Sequence, residues 1–265
     1  MKLAVIIPAA GLSKRYAEGL EFPRSKLDED LGGRPVLQRT VEMFGNHDLV
    51  TLVVVAGPAE NAANAEFRQR YSDKLGLLGV KLVTGGEQRW QTVKNALDAV
   101  PAEFTHIAVH DAARPCTPPE LLDRLFEAAG RYPAVIPALD VPDTLKRVAE
   151  READDREIDP LDAILGGADR KTTRIRQVES TQDRERLVSV QTPQVFEAGL
   201  LRRAYAQPDL TSTDDAQLVE RLGETVTVVE GDPRNIKITR PIDLLVARAV
   251  LGVKGPDGRP VHKRF

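Results

Sequence analysis

The chain holds one cysteine among 265 residues, no surplus of positive charge and no long apolar run. Each scarcity removes a class of function. Cys116 alone forms no internal disulfide and suits a reducing, cytoplasmic compartment. It also has no partner motif that marks a nucleophilic thiol. Lysine and arginine number 37 against 40 acidic residues, a net charge of -3, so there is no overall electrostatic footprint for nucleic acid or an anionic membrane. Any positive site is local. No apolar segment approaches the roughly 18 residues of a membrane span. The N-terminal run is too short for a signal peptide and stops at Pro8. Two phosphate-binding signatures are missing as well. There is no G-x-x-x-x-G-K-[ST] loop and no G-x-G-x-x-G fingerprint, which sets aside P-loop enzymes and dinucleotide-dependent dehydrogenases. No internal repeat is visible.

What is present reads as an α/β protein. A hydrophobic content of 42% fills an ordinary core. The runs "KLAVIIP", "LVTLVVVAG", "VKLVTG", "HIAVHDA" and "PAVIPALDV" are Val- and Ile-rich, nearly continuous, and end in Gly, Pro or Asp. Strands buried on both faces of a parallel sheet have this composition. Amphipathic stretches lie between them. "PVLQRTVEMF" begins with Pro35 in the first turn, "EQRWQTVKNALDAV" spaces Trp90, Val93, Leu97 and Val100 by three and four, and "PPELLDRLFEAAG" ends on Gly130. The alternation predicts a Rossmann-like, doubly wound, mostly parallel sheet, with ligands beyond the carboxyl ends of the strands. From about Val141 the rhythm breaks into a charged stretch, read either as a solvated insertion or as an arm projecting from the sheet. Order returns with "VSVQTPQVF", the helical "TDDAQLVERLG", the strand "TVTVVEG" and the helix "PIDLLVARAVL". We expect one domain over 1–252 that includes the arm at about 142–187, and a frayed tail over 253–265.

Several residues at strand ends are suited to anion chemistry. Gly11, after the first strand, permits close approach of a ligand to the backbone. Amides there point at phosphate oxygens, and Arg15 offers a bidentate contact. Lys26 follows in "FPRSKLDEDLGG". Asp111, in "HDAARP", either holds Mg²⁺ through a hard carboxylate oxygen or caps a turn. Arg114 anchors that turn by a salt bridge, and His110 packs rather than acts as a base. In "GGEQRWQTV", paired glycines leave room for a flat ligand, and Glu87 and Thr92 stand near a ribose or base edge; the same residues also suit a plain helix start. "PRNIKITRP" places Lys237 on a short strand.

Together "PAAGLSKR", "GGEQRWQTV", "VHDAARP", "DVPDTLKR", "TPQVF" and "RNIKITRP", in that order, resemble the 2-C-methyl-D-erythritol 4-phosphate cytidylyltransferase family of nucleotidyltransferases, which serves non-mevalonate isoprenoid biosynthesis. The resemblance runs from about Leu3 to Leu251, apart from the charged stretch. It implies a CTP-dependent enzyme that uses Mg²⁺ and a polyol phosphate and pairs as a homodimer through the arm, part of the site coming from the partner chain. Arg15 and Lys26 match residues that oppose charge at the α-phosphate. Arg184 and Lys237 match those that position the second substrate. Ala9, Ala10, Gly11, Gly86, Glu87 and Thr92 match the cytidine pocket, and Asp111, Thr144 and Thr192 match the substrate side, with Asp111 also the metal ligand.

The match departs from the family at named positions. Ser13 and Tyr16 stand where the family loop has a second glycine and a methionine. "PRSK" replaces the usual Pro-Lys pair, so Arg24 rivals Lys26, although "LDEDLGG" keeps the family spacing for Lys26. Ribitol 5-phosphate remains the alternative second substrate, since the cytidine half is common to both reactions.

Overall fold

The computed structural model describes residues 1–18, 20–22, 24–150 and 175–255. The chain divides into two units, Met1–Leu139 with Val190–Phe265, and Asp140–Ser189.

The first unit is built on a sheet. Its strands are β1 (Leu3–Pro8), β2 (Val50–Ala56), β3 (Lys81–Val83), β4 (His106–Val109), β5 (Ala134–Asp140), β9 (Gln194–Glu197) and β10 (Thr227–Glu230). They lie in the order β10-β5-β9-β4-β1-β2-β3. β1 runs parallel to β2 and β4, with Val5 beside Val53 and Ala108, and β10 runs parallel to β5. β9 is the exception, antiparallel to both β4 and β5. The expected mostly parallel, doubly wound sheet is therefore observed.

The continuous apolar runs are explained by the two covered faces. Leu3, Val5 and Ile7 point into one core with Leu37, Phe44 and Leu125. Ala4 and Ile6 point into the other, with Val93, Leu97 and Leu201. Fully burying an aliphatic side chain contributes about 1.5–3 kcal/mol, so β1 is an anchor for both layers.

The helices are α1 (Lys14–Ala17), α2 (Val36–Gly45), α3 (Ala62–Gly76), α4 (Arg89–Asp98), α5 (Pro119–Ala129), α6 (Ala198–Ala204), α7 (Ala216–Glu220) and α8 (Pro241–Leu251). Three local expectations change. Pro35 is the residue before α2, not in its first turn. The expected helix at "TDDAQLVERLG" is regular only over the five residues of α7. Lys237 is on no strand: its segment makes no ladder, and among the described residues Ile238 N–H alone reaches a neighbour backbone, Ala113 O, at 2.8 Å. Ile236 and Ile238 give the segment its strand-like alternation because both pack on the core.

In the second unit β6 (Lys146–Val148) pairs antiparallel with β7 (Val178–Thr181), Lys146 opposite Thr181. A further short strand, β8 (Val188–Val190), follows. Most of the charged stretch expected as an arm, 151–174, and most of the expected tail, 256–265, lie outside the described residues.

Candidate functional site

The carboxyl ends of β1, β3 and β4 open on one cavity of about 410 Å³. Its walls are the loop after β1, the start of α4, the turn after β4 and Lys237.

The loop begins where Ala9 N–H makes a last sheet-like bond to Ala56 O at 2.7 Å. The next four amides, of Ala10, Gly11, Leu12 and Ser13, donate to no described residue. Consecutive unengaged amides of this kind form a concavity for anions. Ser13 turns the chain in the left-handed region, with φ 53°. This is where the resembled family carries glycine, which adopts that conformation without a Cβ penalty.

Gly85 and Gly86 join β3 to α4. A Cβ on Gly85 would stand 2.1 Å from Gly57 O, and one on Gly86 2.3 Å from Gln91 Cβ. The fold itself demands these glycines, whatever ligand they admit. Thr92 is buried and closes the turn: its hydroxyl accepts from Gly86 N–H at 3.1 Å and lies 3.0 Å from Gln88 O.

The charge centre is Asp111. Lys237 Nζ lies 3.0 Å from its Oδ2, and Arg114 Nε donates to the same oxygen at 3.1 Å. Burial alone would raise the carboxyl, but Lys237 and Arg114, with Arg89 beyond, hold it well below the usual carboxylate range. Lys26 Nζ donates to Ile238 O at 2.7 Å. Burial, then the neighbouring Lys237 and Arg15 charges, lower its ammonium to about 8, against the opposing pull of Asp111. Arg89 enters the cavity wall from the first turn of α4. Its guanidinium forks onto Asp215, with Nη1 at 3.1 Å and Nη2 at 2.6 Å, and Asp215 is fully buried. Burial opposes the Arg89 charge, and Asp215 more than offsets this and raises its pKa.

Ala9, Ala10, Gly11, Lys26, Glu87, Thr92, Asp111 and Lys237 all line the cavity. Gly86 lies directly before Glu87 and holds the wall through Thr92. Arg15 is exposed and does not line the cavity, whereas Lys14 does. Arg24 turns away and pairs with the buried Glu29 carboxylate. Thr192 is buried behind Asp111, with its hydroxyl 3.0 Å from Asp111 N. Thr144 and Arg184 belong to the second unit, where Arg184 donates to Pro142 O.

Sequence reasoning missed Lys14, Arg89, Asp215 and Asn235. Asn235, fully buried, ties two motifs together: its Nδ2 donates to Thr192 O at 2.8 Å, and its own carbonyl accepts from Arg114 Nη1 at 2.7 Å. Lys14, Arg89 and Asn235 stood inside quoted motifs, and the long-range partners of Arg89 and Asn235 carried no local signal.

Among the described residues no three His, Cys, Asp or Glu side chains gather as a metal cluster. Asp111 fits a hard cation as a single ligand. Both of its cationic contacts fall on Oδ2, and Oδ1 takes no hydrogen bond from a described residue. One carboxylate with phosphates and water is an ordinary Mg²⁺ environment. No helix among the described residues is long and apolar enough to cross a membrane.

Comparison with known proteins identifies the family. The family model for 2-C-methyl-D-erythritol 4-phosphate cytidylyltransferase matches residues 3–159 and 161–253. A protein of that name from Frankia casuarinae is 39% identical over 94% of this chain and 81% of its own length. Another from Rhodococcus jostii is 40% identical over 94% of this chain and 95% of its own. The crystal structure of 2-C-methyl-D-erythritol 4-phosphate cytidylyltransferase from Thermus thermophilus superposes with a TM-score of 0.68 at 32% identity, over 96% of this chain and all of that one. By the extent of the model match and of both relatives, the chain belongs to the 2-C-methyl-D-erythritol 4-phosphate cytidylyltransferase family.

Proposed function

We propose that the chain joins CTP to 2-C-methyl-D-erythritol 4-phosphate, giving 4-diphosphocytidyl-2-C-methyl-D-erythritol and pyrophosphate in isoprenoid precursor biosynthesis. The observation that carries this is that Lys14, Lys26, Arg89 and Lys237 line one cavity with Asp111, beside a loop whose amides donate to no described residue. Such a site is built for several phosphates at once. The relatives and the Thermus structure carry methylerythritol phosphate in their names, which favours that polyol over ribitol 5-phosphate.

A phosphate oxygen of the polyol attacks the α-phosphorus of CTP. A new P–O bond forms, the bond to the β-phosphate bridge breaks, and pyrophosphate leaves with the electron pair. The nucleophile is an anion at neutral pH, so no general base is required. Catalysis is positioning and charge neutralisation. The amides of Ala10, Gly11 and Leu12 take phosphate oxygens. Lys26, with Lys14 from the start of α1, opposes charge at the α-phosphate and the departing pyrophosphate, and Arg15 adds its positive charge from outside the cavity wall. Ala9, Gly86, Glu87 and Thr92 form the cytidine side. Lys237 and Arg184 hold the second anion against repulsion, and Thr144 serves the same substrate. Asp111 would hold Mg²⁺ through its carboxylate, and the ion would supply further neutralisation of phosphate charge.

The protein works in the cytoplasm, in keeping with its lone buried cysteine. It also pairs as a homodimer through the segment at about 142–187, of which 151–174 lie outside the described residues. Light scattering should return twice the chain mass. Mixing inactive Arg184→Ala with inactive Lys26→Ala should restore part of the activity, since one site then draws on both chains.

The deciding experiment incubates the protein with Mg²⁺, CTP and each polyol phosphate in turn and measures pyrophosphate. Release only with methylerythritol phosphate supports the assignment. Faster release with ribitol 5-phosphate, or none with either, overturns it.

A further inference from the structure

Behind Asp111 runs a chain of hydrogen bonds whose directions are fixed by chemistry. Asp111 N–H lies 3.0 Å from Thr192 Oγ1, Thr192 Oγ1 lies 3.2 Å from His110 Nδ1, and His110 Nε2 lies 3.1 Å from Arg114 O. A carbonyl only accepts, so Nε2 carries the ring proton. In a neutral ring Nδ1 then only accepts, so the Thr192 hydroxyl donates to it. The hydroxyl oxygen accepts from Asp111 N–H, which only donates. The sequence runs one way, from the amide of Asp111 to the carbonyl of Arg114.

It also closes on itself. Arg114 N–H donates to Asp111 O at 3.0 Å, and Arg114 Nε donates to the Asp111 carboxylate at 3.1 Å. Backbone and side chain of Asp111 are thus held from both ends by one set of three residues, Thr192, His110 and Arg114. His110 is completely buried, with its ring against the edge of Phe44 at 5.0 Å between centroids. We propose that His110 and Thr192 are positioning residues that, through this relay, fix the place of the Asp111 carboxylate in the cavity.

The ring is suited to that task. It is completely buried, and each of its nitrogens meets one uncharged partner, Thr192 Oγ1 or Arg114 O, as the relay requires. Thr192 thereby takes a role different from the substrate contact that resemblance implied, because its single hydroxyl proton is already engaged with His110. His110 takes a role beyond packing. The inference rests on the cytidylyl-transfer reading, in which Asp111 serves substrate and metal.

The test compares Thr192→Val, which keeps the shape without the hydroxyl, with Thr192→Ser, which keeps the hydroxyl. In pyrophosphate release, Thr192→Val should lower kcat by about tenfold or more with the KM for CTP within about twofold. Thr192→Ser should stay within about threefold of the parent. His110→Phe should behave like Thr192→Val, and His110→Asn, which keeps an acceptor beside Thr192, should recover part of the loss. The pair Thr192→Val and His110→Phe combined should fall little further than the worse single variant, as members of one unit do. Amide hydrogen exchange at Asp111 should quicken in Thr192→Val and not in Thr192→Ser. Parental kcat in folded Thr192→Val overturns the proposal. So does a Thr192→Ser loss as deep as that of Thr192→Val, since packing would then carry the effect. If Thr192→Val does not fold, the two His110 variants decide alone, and equal activity in them overturns the relay. An inactive parent protein overturns the functional reading instead, and the exchange rates then judge the relay by themselves.

Discussion

The ammonium of Lys237 and the guanidinium of Arg114 meet on a single oxygen, Asp111 Oδ2, at 3.0 and 3.1 Å. The two cations are not equivalent. The Lys237 side chain is 42% exposed, that of Arg114 only 11%. Lys237→Ala should therefore abolish most turnover with little change in melting temperature, because Arg114 still pairs with the carboxylate. Asp111→Asn should lose turnover and also about 3 kcal/mol of stability, since it strands a buried guanidinium. Turnover and thermal melts of the two variants, measured side by side, check the contrast.

The lowered Lys26 ammonium sets a pH dependence. As pH rises through about 8 the free protein loses this charge, so kcat/KM for CTP should fall above that value. Bound phosphates favour the ammonium, so the fall in kcat itself should begin at higher pH. Lys26→Arg, whose guanidinium keeps its proton, should remove the alkaline fall in kcat/KM. The sign for stability is opposite. Between about 8 and the ordinary 10.5 the folded protein holds less of this proton than the unfolded chain, so this group's contribution to stability grows with pH.

Lys26 and Arg24, two residues apart, should separate cleanly. Lys26→Ala removes a cavity charge and should cost roughly 2–4 kcal/mol of transition-state stabilisation, read as a loss in kcat. Arg24→Ala leaves the buried Glu29 carboxylate without its guanidinium, half-exposed as that partner is. It should cost about 1–2 kcal/mol of stability and little activity. A crippled, stable Arg24→Ala protein would exchange the two roles.

Glycines offer a test of what the fold demands against what the ligand demands. Gly85→Ala drives a Cβ against Gly57 O and should destabilise by about 2–3 kcal/mol. Gly11 has no neighbour within 4 Å of an added Cβ and no positive φ. Gly11→Ala should melt within about 0.5 kcal/mol of the parent and yet raise the KM for CTP severalfold, because phosphates must approach that backbone. An unchanged KM would remove the loop from the nucleotide site.

Much of this was legible in the chain. The five apolar runs became β1 to β5 because strands covered on both faces need no alternation, and turn residues marked their ends. The insertion of β9 between β4 and β5 was not legible, since pairing partners far apart in sequence leave no local trace. The same holds for Arg89, whose partner Asp215 lies 126 positions away. Lys237 looked like a strand residue because Ile236 and Ile238 alternate, but the alternation serves core packing without a ladder. At the first loop the left-handed turn at Ser13 decides that Lys14, not Arg15, meets the cavity, and a one-residue phase of this kind is set by backbone geometry rather than by residue type.

The antiparallel placement of β9 has a consequence for how this chain tolerates change. β5 and β9 are direct neighbours, with Ala134 opposite Phe196 and Val135 opposite Val195. The excursion between them is closed a second time within itself, where β6 pairs with β7 and Val148 stands opposite Val178. Closing a flexible loop of twice the length costs only about 0.6 kcal/mol more, so the sheet is nearly indifferent to how much chain is inserted there. Thr144, Arg184 and Thr192 lie outside the stretch between β6 and β7, so added sequence is accommodated there with least disturbance to the cavity.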